Sequence, residues 1–394
     1  MSVSRRAFFA RAGAIAAAQG LALKGQQTTP AASPVTHAPG KQYDPRMGTE
    51  NAAKYFKFSD RRAKVSLIKG DSRRKNISDA LVAIDDQIRP ALKARKYVFI
   101  KLNGIESADR LLGSSQPDAL RGILDYLAPR FKGPVVVGDS GDIPSNQAVS
   151  KYGWDKVFAE YKALNPKFEV TNEEQNHYGL MYGIDYDEHV IPIRLGARFV
   201  DPDAFIISAA VLKTHNMVVA TMAVKNLVMG APLAPALGNN NYADSEKRKF
   251  HVGIRSGNYN MFLAIQRMVS NWGIGVVDGF EGMEGNGPMS GIPVGHRIAL
   301  ASTDLLAVDR VGLECMGIDA SWLGYLNYAY QTGLGQYDLS KIDVVGAKIA
   351  DVQKKYRMHA DVDRMLEWRG PMLDLPSNLG RNRRRSEEDF PANA

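Results

Sequence analysis

Apolar, β-branched runs alternate with stretches of helical spacing along most of this chain, and this alternation constrains its fold most strongly. The strand-like runs cover residues 63–70, 97–103, 134–142, 189–195, 204–212, 274–279, 296–302 and 342–347. The helical stretches cover residues 76–92, 115–127 with Ser115 as N-cap, 217–229, 260–272 and 304–316. Strands joined by helices cross over with a right hand and build a parallel sheet. We therefore predict an α/β fold with a mostly parallel sheet and helices on both faces. An arrangement as two α/β lobes around a central pocket is a further alternative.

The order of these segments divides the chain into four parts. We predict a signal peptide at 1–30, a linker at 31–60, an α/β domain at 61–350 and a C-terminal extension with a polar tail at 351–394. Residues 231–258 and 280–295 are rich in glycine and polar residues, so we predict a long loop for each. Long loops inside a domain are more often functional than decorative.

The N-terminus has the order of a twin-arginine export signal. Arg5 and Arg6 precede Phe8 and Phe9, and a weakly apolar stretch follows from Ala12 to Leu23. This stretch is too short and too rich in alanine for a permanent membrane anchor. We predict that the twin-arginine machinery exports the folded chain to the periplasm or another extracytoplasmic space.

Charge and cysteine content exclude several classes of function. The net charge is +8, but residues 1–40 hold four basic residues and no acid, so the remaining chain carries only +4. This charge is too small to indicate a nucleic-acid partner. The single cysteine, Cys315, lies in an apolar helical pattern, which is typical of a buried thiol. One thiol cannot supply an iron–sulfur cluster, so we expect none.

Polar side chains follow several predicted strands at the point where each strand ends. Ligands bind beyond the carboxyl ends of the strands in open parallel sheets. We predict that six polar residues bind a ligand. Four follow strand ends, one lies in the segment 212–230 and one in the glycine-rich segment 280–295: Lys101, Asn103, Asp139, Ser140, Asn226 and Asn286.

The segment 212–230 places strongly polar side chains inside otherwise apolar sequence. We predict that Lys213, His215 and Lys225 are catalytic, with the lysines holding an anion or acting as base or nucleophile. His215 could transfer protons or bind a metal. The alternative is that both lysines extend to the surface and His215 packs against a carbonyl group.

Carboxylates around the glycine-rich segment 280–295 suggest a cation site. Asp278 and Glu284 could join His215 and His251 as ligands of a divalent metal. The alternative is a tight surface loop without a ligand. The cofactor and the oligomeric state stay open.

Six stretches together resemble the domain-of-unknown-function 362 family, sometimes labelled as iron–sulfur centre proteins. They are VFIKLNGI at 98–105, PVVVGDSG at 134–141, the segment 212–230, KFH at 249–251, VDGFEGMEGNGPMSG at 277–291 and LASTDLLAVD at 300–309. The family pattern usually reads Lys-Pro-Asn where this chain has Leu102. The cysteine-rich segment of many relatives is missing, so the iron–sulfur label does not transfer. The resemblance implies no particular activity.

The chain is also similar to nickel-pincer lactate racemases at three positions. Those enzymes have a histidine, a lysine after nine intervening residues and a later histidine, and His215, Lys225 and His251 follow that order. The similarity implies that Lys225 would tether the cofactor and His251 would ligate nickel.

These observations favour an exported enzyme with an anion- or metal-binding pocket that takes a small anionic ligand. A non-enzymatic periplasmic binding protein with the same pocket is the first alternative. A racemase or isomerase similar to the nickel-pincer enzymes is the second.

Export should depend on the arginine pair, because the twin-arginine signal is recognised by a receptor. Changing Arg5 and Arg6 to lysine should leave the precursor in the cytoplasm, as cell fractionation and immunoblotting would show. Continued export of the doubly substituted chain would contradict the assignment of this signal.

Overall fold

The structure is a computed structural model that describes residues 60–105, 111–139, 149–170, 176–235 and 245–369. The predicted signal peptide, nearly all of the linker, Ser140 and the tail from residue 370 lie outside the described residues.

One large mixed sheet forms the centre of the described part of the chain. Its strands along one path are, in spatial order, β12 (Ile342–Gly346), β1 (Ala63–Lys69), β11 (Ile298–Ser302), β9 (Trp272–Asn286), β7 (Ala204–His215), β2 (Tyr97–Lys101), β3 (Val135–Asp139) and β4 (Lys167–Val170). On this path β11 alone is antiparallel to its neighbours, and the other pairs are parallel. The predicted α/β class and mostly parallel sheet are confirmed.

Three antiparallel pairings complete the strands. β10 (Ser290–Val294) pairs with β9, and β8 (Val219–Thr221) pairs with β7. β5 (Tyr178–Ile184) and β6 (Val190–Gly196) form a separate two-stranded sheet. The run predicted at 189–195 is therefore a strand, but it does not join the large sheet.

Helices cover both faces of the large sheet. On one face lie α1 (Arg73–Val82), α2 (Asp85–Lys93), α3 (Pro117–Leu127) and α4 (Trp154–Glu160). On the other lie α5 (Ala223–Val228), α6 (Ile254–Met268), α7 (Leu305–Met316) and α8 (Gly324–Gln331), and the short helices α9 (Ile349–Val352) and α10 (Val362–Met365) follow β12. Two lobes around a pocket stay a prediction.

Side chains of the central strands pack alternately into two separate hydrophobic cores, one on each face of the sheet. Phe99 of β2 packs in the core under α5 to α8, while Val98 and Ile100 pack in the core under α1 to α4. Successive side chains of a strand point to opposite faces, so a strand covered on both faces needs apolar residues throughout. This requirement explains the apolar run in β7, which only Ser208 interrupts between Ala204 and Leu212.

The predicted helix at 76–92 is wrong as a single element. The chain turns at Ala83 and Ile84, so that α1 and α2 are separate helices. The turn keeps Ile84 buried in the core and lets Asp85 accept a hydrogen bond from Arg130 Nε at 2.7 Å.

The predicted helix at 217–229 is also wrong in its first half. β7 continues to His215 and reverses into β8, and the helix begins only at Ala223. Helix α6 likewise begins at Ile254, inside the segment predicted as a loop, and ends at Met268.

The glycine-rich segment 280–295 forms the β9–β10 hairpin rather than a loop around a ligand. A side chain at Gly287 would meet the Thr214 carbonyl oxygen at 2.2 Å, and one at Gly282 would meet the Tyr356 hydroxyl at 2.2 Å. These glycines admit neighbouring parts of the chain.

Two further expectations concern single residues. Ser115 does not cap α3, because its hydroxyl accepts a hydrogen bond from Asn103 N and donates one to Ala209 O, each at 2.7 Å. Cys315 is buried as predicted, and burial raises the pKa of its thiol to about 12. Over the described ranges, no helix is long and apolar enough to cross a membrane.

Candidate functional site

A tight hairpin and a short helix carry the polar residues of the segment 212–230. β7 and β8 pair through Lys213 with Thr221 and His215 with Val219. Val219 has a φ of 70°, which a β-branched residue rarely adopts. Such strain costs roughly 1–3 kcal/mol and is typical of functional sites, so the surrounding packing must hold this turn in place.

Helix α5 begins where a distant carboxylate caps it. The Asp309 carboxylate of α7 accepts hydrogen bonds from Ala223 N and Val224 N at 2.8 and 3.0 Å. Burial raises the pKa of Asp309 to about 8, although the two N–H groups oppose this rise. Because neighbouring helical residues differ by about 100° in direction, Lys225 and Asn226 face different surroundings.

Asn226 belongs to a buried polar network at the carboxyl ends of β2 and β3. Lys101 Nζ donates to Asp139 Oδ1 at 2.8 Å and to Asn226 Oδ1 at 3.1 Å. Asn103 Nδ2 also donates to Asn226 Oδ1, at 3.0 Å. Lys213 Nζ donates to Asn103 Oδ1 at 2.7 Å and to Gly113 O at 2.5 Å.

The structure therefore brings five predicted site residues together, and it bonds them to one another. Lys101 and Lys213 are only 3% and 1% exposed, and burial lowers the pKa of Lys213 well below its usual value. A fully bonded polar network fixes the elements that carry it. We infer that these residues position α5 rather than contact a ligand.

A small cavity lies on the other side of α5. Its empty space is about 260 Å³, including the part open to solvent. Its lining residues come from the β7–β8 turn, α5, the segment before α6 and the first turns of α6: His215, Met217, Val218, Lys225, Met229, Phe250, His251, Gly253, Ile254, Gly257, Asn258 and Met261. His251 is exposed and marks the open side.

Lys225 is the unusual side chain of this cavity. It is 8% exposed, and among the described residues no hydrogen bond or ion pair holds its ammonium group. Burial, followed by the charges of Lys247 and Lys101, lowers its pKa from 10.5 to about 7. A lysine amine that loses its proton near neutral pH can act as base or nucleophile.

His215 presents an N–H group rather than a metal-binding nitrogen. Its Nδ1 accepts a hydrogen bond from Met217 N at 3.0 Å, so the neutral ring carries its proton on Nε2. Burial, followed by the charges of Lys225 and Lys213, lowers its pKa well below 6.5 and keeps the ring neutral. Metal-bound histidines almost always donate from the second nitrogen, which this ring does not do.

The first turn of α6 faces the same cavity without a side-chain cap. Gly253 occupies the N-cap with a φ of 90°, and no side chain of the described residues caps the helix. The first N–H groups of a helix have no partner inside the helix, and with the helix dipole they attract anions. A side chain at Gly257 would meet Phe250 O at 2.8 Å, so glycine allows this close packing.

The structure does not bring the four predicted metal ligands together. Asp278 is ion-paired with Arg73 of α1 at 3.0 Å, and α1 lies on the face of the sheet away from the cavity. Glu284 Oε2 accepts a hydrogen bond from Arg357 N at 2.9 Å. His215 and His251 line the cavity without these carboxylates. Within the described residues, no three histidine, cysteine or acidic side chains could hold a metal ion.

Asn286 is likewise separate from the predicted ligand-binding residues of the network. It is exposed near the tip of the β9–β10 hairpin, and its Oδ1 accepts a hydrogen bond from Ala360 N at 3.1 Å. The residues that the sequence reasoning missed are Gly253, Ile254 and Gly257. Gly253 and Gly257 lie four residues apart, directly before an apolar helical pattern. This spacing was the signal that could have indicated the start of α6.

Known proteins relate this chain to a family but to no activity. The profile of a family described as a domain of unknown function (DUF362) matches residues 98–314, more than half of the chain. No curated protein matches. A crystal structure of a protein from Thermotoga maritima is similar with a TM-score of 0.34 and 10% identity, over 68% of this chain. The chain spans 59% of the length of that protein.

Replacing Lys225 by methionine should stabilise the protein. The pKa of Lys225 is lower in the folded state than in the unfolded state, so the unfolded chain binds more protons between about pH 7 and 10.5. Wild-type stability should therefore rise over this range. The variant should gain on the order of 1–4 kcal/mol at pH 7, and the gain should shrink towards pH 10.5.

Denaturant unfolding at several pH values measures this difference. Lys249→Met is the control, because Lys249 Nζ already donates to Pro192 O and Glu246 Oε2 at 2.7 Å. A Lys225→Met variant that is less stable than wild type at pH 7 would contradict the description of Lys225 as a buried lysine without a partner.

Proposed function

This chain belongs to the DUF362 family of domains of unknown function, and we propose that it is an exported enzyme whose cavity binds a small organic anion. The matched range 98–314 contains every residue of the polar network and of the cavity. Because the family description names no activity, the proposal depends on the chemistry of the cavity.

One observation carries the proposal: N–H donors and a lysine that has no partner among the described residues line one cavity, and none of the described lining residues is acidic. The first turn of α6 offers backbone N–H groups, and His215 offers Nε2–H. Donors of this kind bind carboxylate or phosphate oxygens, and charge-assisted hydrogen bonds are about twice as strong as neutral ones.

The state of Lys225 favours catalysis over simple binding. A group whose pKa lies near the working pH exchanges protons most effectively during a reaction, and the pKa of Lys225 is about 7. A protein that only binds an anion would gain more from a permanently charged lysine or arginine. Turnover of a bound anion would separate the enzyme from a non-enzymatic binding protein.

A racemase or isomerase similar to the nickel-pincer enzymes is a second candidate. It is favoured by the common position of His215, Lys225 and His251 around one cavity. In that resemblance a cofactor occupies the lysine, whereas our first candidate requires a free amine at Lys225. The tautomer of His215 argues against this histidine as a ligand of a divalent metal.

The predicted signal peptide supports a proposal for where this activity takes place. We propose that the twin-arginine machinery is the export partner and that the enzyme works in the periplasm or another extracytoplasmic space. Arg5 and Arg6 support this proposal.

Acetate should bind in the cavity, and acetamide, which has the same size and no charge, should not. NMR titration of the amide signals of α6 would show shifts at Ile254, Arg255 and Ser256 with acetate alone. His215→Asn should weaken acetate roughly tenfold, because it keeps an acceptor for Met217 N and loses the Nε2–H donor.

His189→Asn is the matched control, since His189 is exposed in the turn between β5 and β6 and lies near Asp185. It should leave acetate binding unchanged. Equal shifts with acetate and acetamide would contradict the anion site. Loss of folding in His215→Asn at neutral pH would instead support the alternative in which His215 is a structural core residue.

A further inference from the structure

The cavity contains N–H donors and a lysine amine, and a simple anion would use only the donors. The N–H groups of α6 and His215 can hold negative charge. Lys225 lines the cavity together with the apolar residues Met229, Phe250 and Met261, and no acidic residue is among the described residues that line it. A ligand that engages both needs an anionic group for the N–H donors and an electrophilic carbon for the Lys225 amine.

We propose that the ligand is a small oxo acid whose carbonyl carbon condenses with the Lys225 amine to form an imine. The carboxylate would lie against the first turn of α6 and His215, and the carbonyl group would face Lys225. This inference rests on the proposed anion cavity and adds the class of substrate and the reacting atom.

Comparison with the other buried lysines supports the choice of Lys225. Lys101 donates to Asp139, and Lys213 donates to Asn103 and Gly113, so the nitrogen of each is committed to acceptors. Lys225 has no such acceptor among the described residues. An amine needs an available lone pair to attack a carbonyl carbon, and desolvation in an apolar pocket supplies it.

The size of the cavity limits the substrate. The cavity is small and partly open to solvent, so we take a short-chain acid rather than a nucleotide as its ligand. The apolar wall around Lys225 also keeps water away from the imine, which water would hydrolyse. Pyruvate is a small acid with the required carboxylate and carbonyl group.

The condensation is balanced without any oxidant or further reactant. The Lys225 nitrogen forms a bond to the carbonyl carbon, and the carbonyl oxygen leaves as water with the two protons of the amine. The product is a carbon–nitrogen double bond between the lysine and the acid. Hydride from borohydride reduces this bond to a stable secondary amine.

Reductive trapping tests the inference on the full chain. The protein is incubated with pyruvate and sodium borohydride, digested and analysed by peptide mass spectrometry. We expect the pyruvate adduct on the peptide that contains Lys225, and we expect acetate to suppress it by competing for the anion site. Lys101 and Lys213 are internal controls, because they are more deeply buried than Lys225 and bonded to acceptors, and they should remain unmodified.

The outcomes separate this inference from the proposed function. The Lys225→Met variant, which should be stable, must lose the adduct. If acetate binds but Lys225 yields no adduct, the oxo-acid inference is overturned and the anion cavity stands. Adducts confined to exposed lysines and unaffected by acetate overturn it as well. If neither acetate binding nor an adduct is observed, the proposed function fails too.

Discussion

Burial of three lysines at one edge of the sheet is the constraint on which the rest of the site depends. Placing an ammonium group in a protein interior is costly unless partners replace water. Lys101 has Asp139, and Lys213 has two neutral oxygens. Among the described residues no partner holds Lys225, so its amine is not committed to an acceptor, and burial lowers its pKa to about 7. The network around Asn226 holds α5, and α5 holds this amine in the cavity.

Two further features beside the cavity cost stability. The turn at Val219 is strained, and Asp309 is buried to cap α5. Neither arrangement contributes to packing as an apolar alternative would. The turn sets the position of His215 at the end of β7, and the cap sets the position of Lys225 on α5. A protein tolerates such costs where a functional site requires them.

Much of this arrangement could be predicted from the sequence, and the failures have physical causes. Lys213, His215 and Lys225 were recognisable because polar residues interrupt apolar sequence. The start of α5 was not, since Asp309, 86 positions away from Ala223, determines it. The face of the sheet on which Asp278 lies was not predictable either, because β9 is buried on both faces around Asp278 and the sequence shows no alternation there. The start of α6 was hidden in a glycine-rich segment that favoured a loop.

The ionisation of Lys225 in the ligand-free protein tests this account most directly. Isotope-labelled lysine, with the Lys225→Met variant to assign the missing signal, would follow its ε-carbon by NMR from pH 5 to 11. We expect a pKa of about 7, well below the 10.5 of an ordinary lysine. A Lys225 that stays charged to pH 10 would show that an acidic partner or water holds it. The description of this cavity as a reactive site would then be wrong.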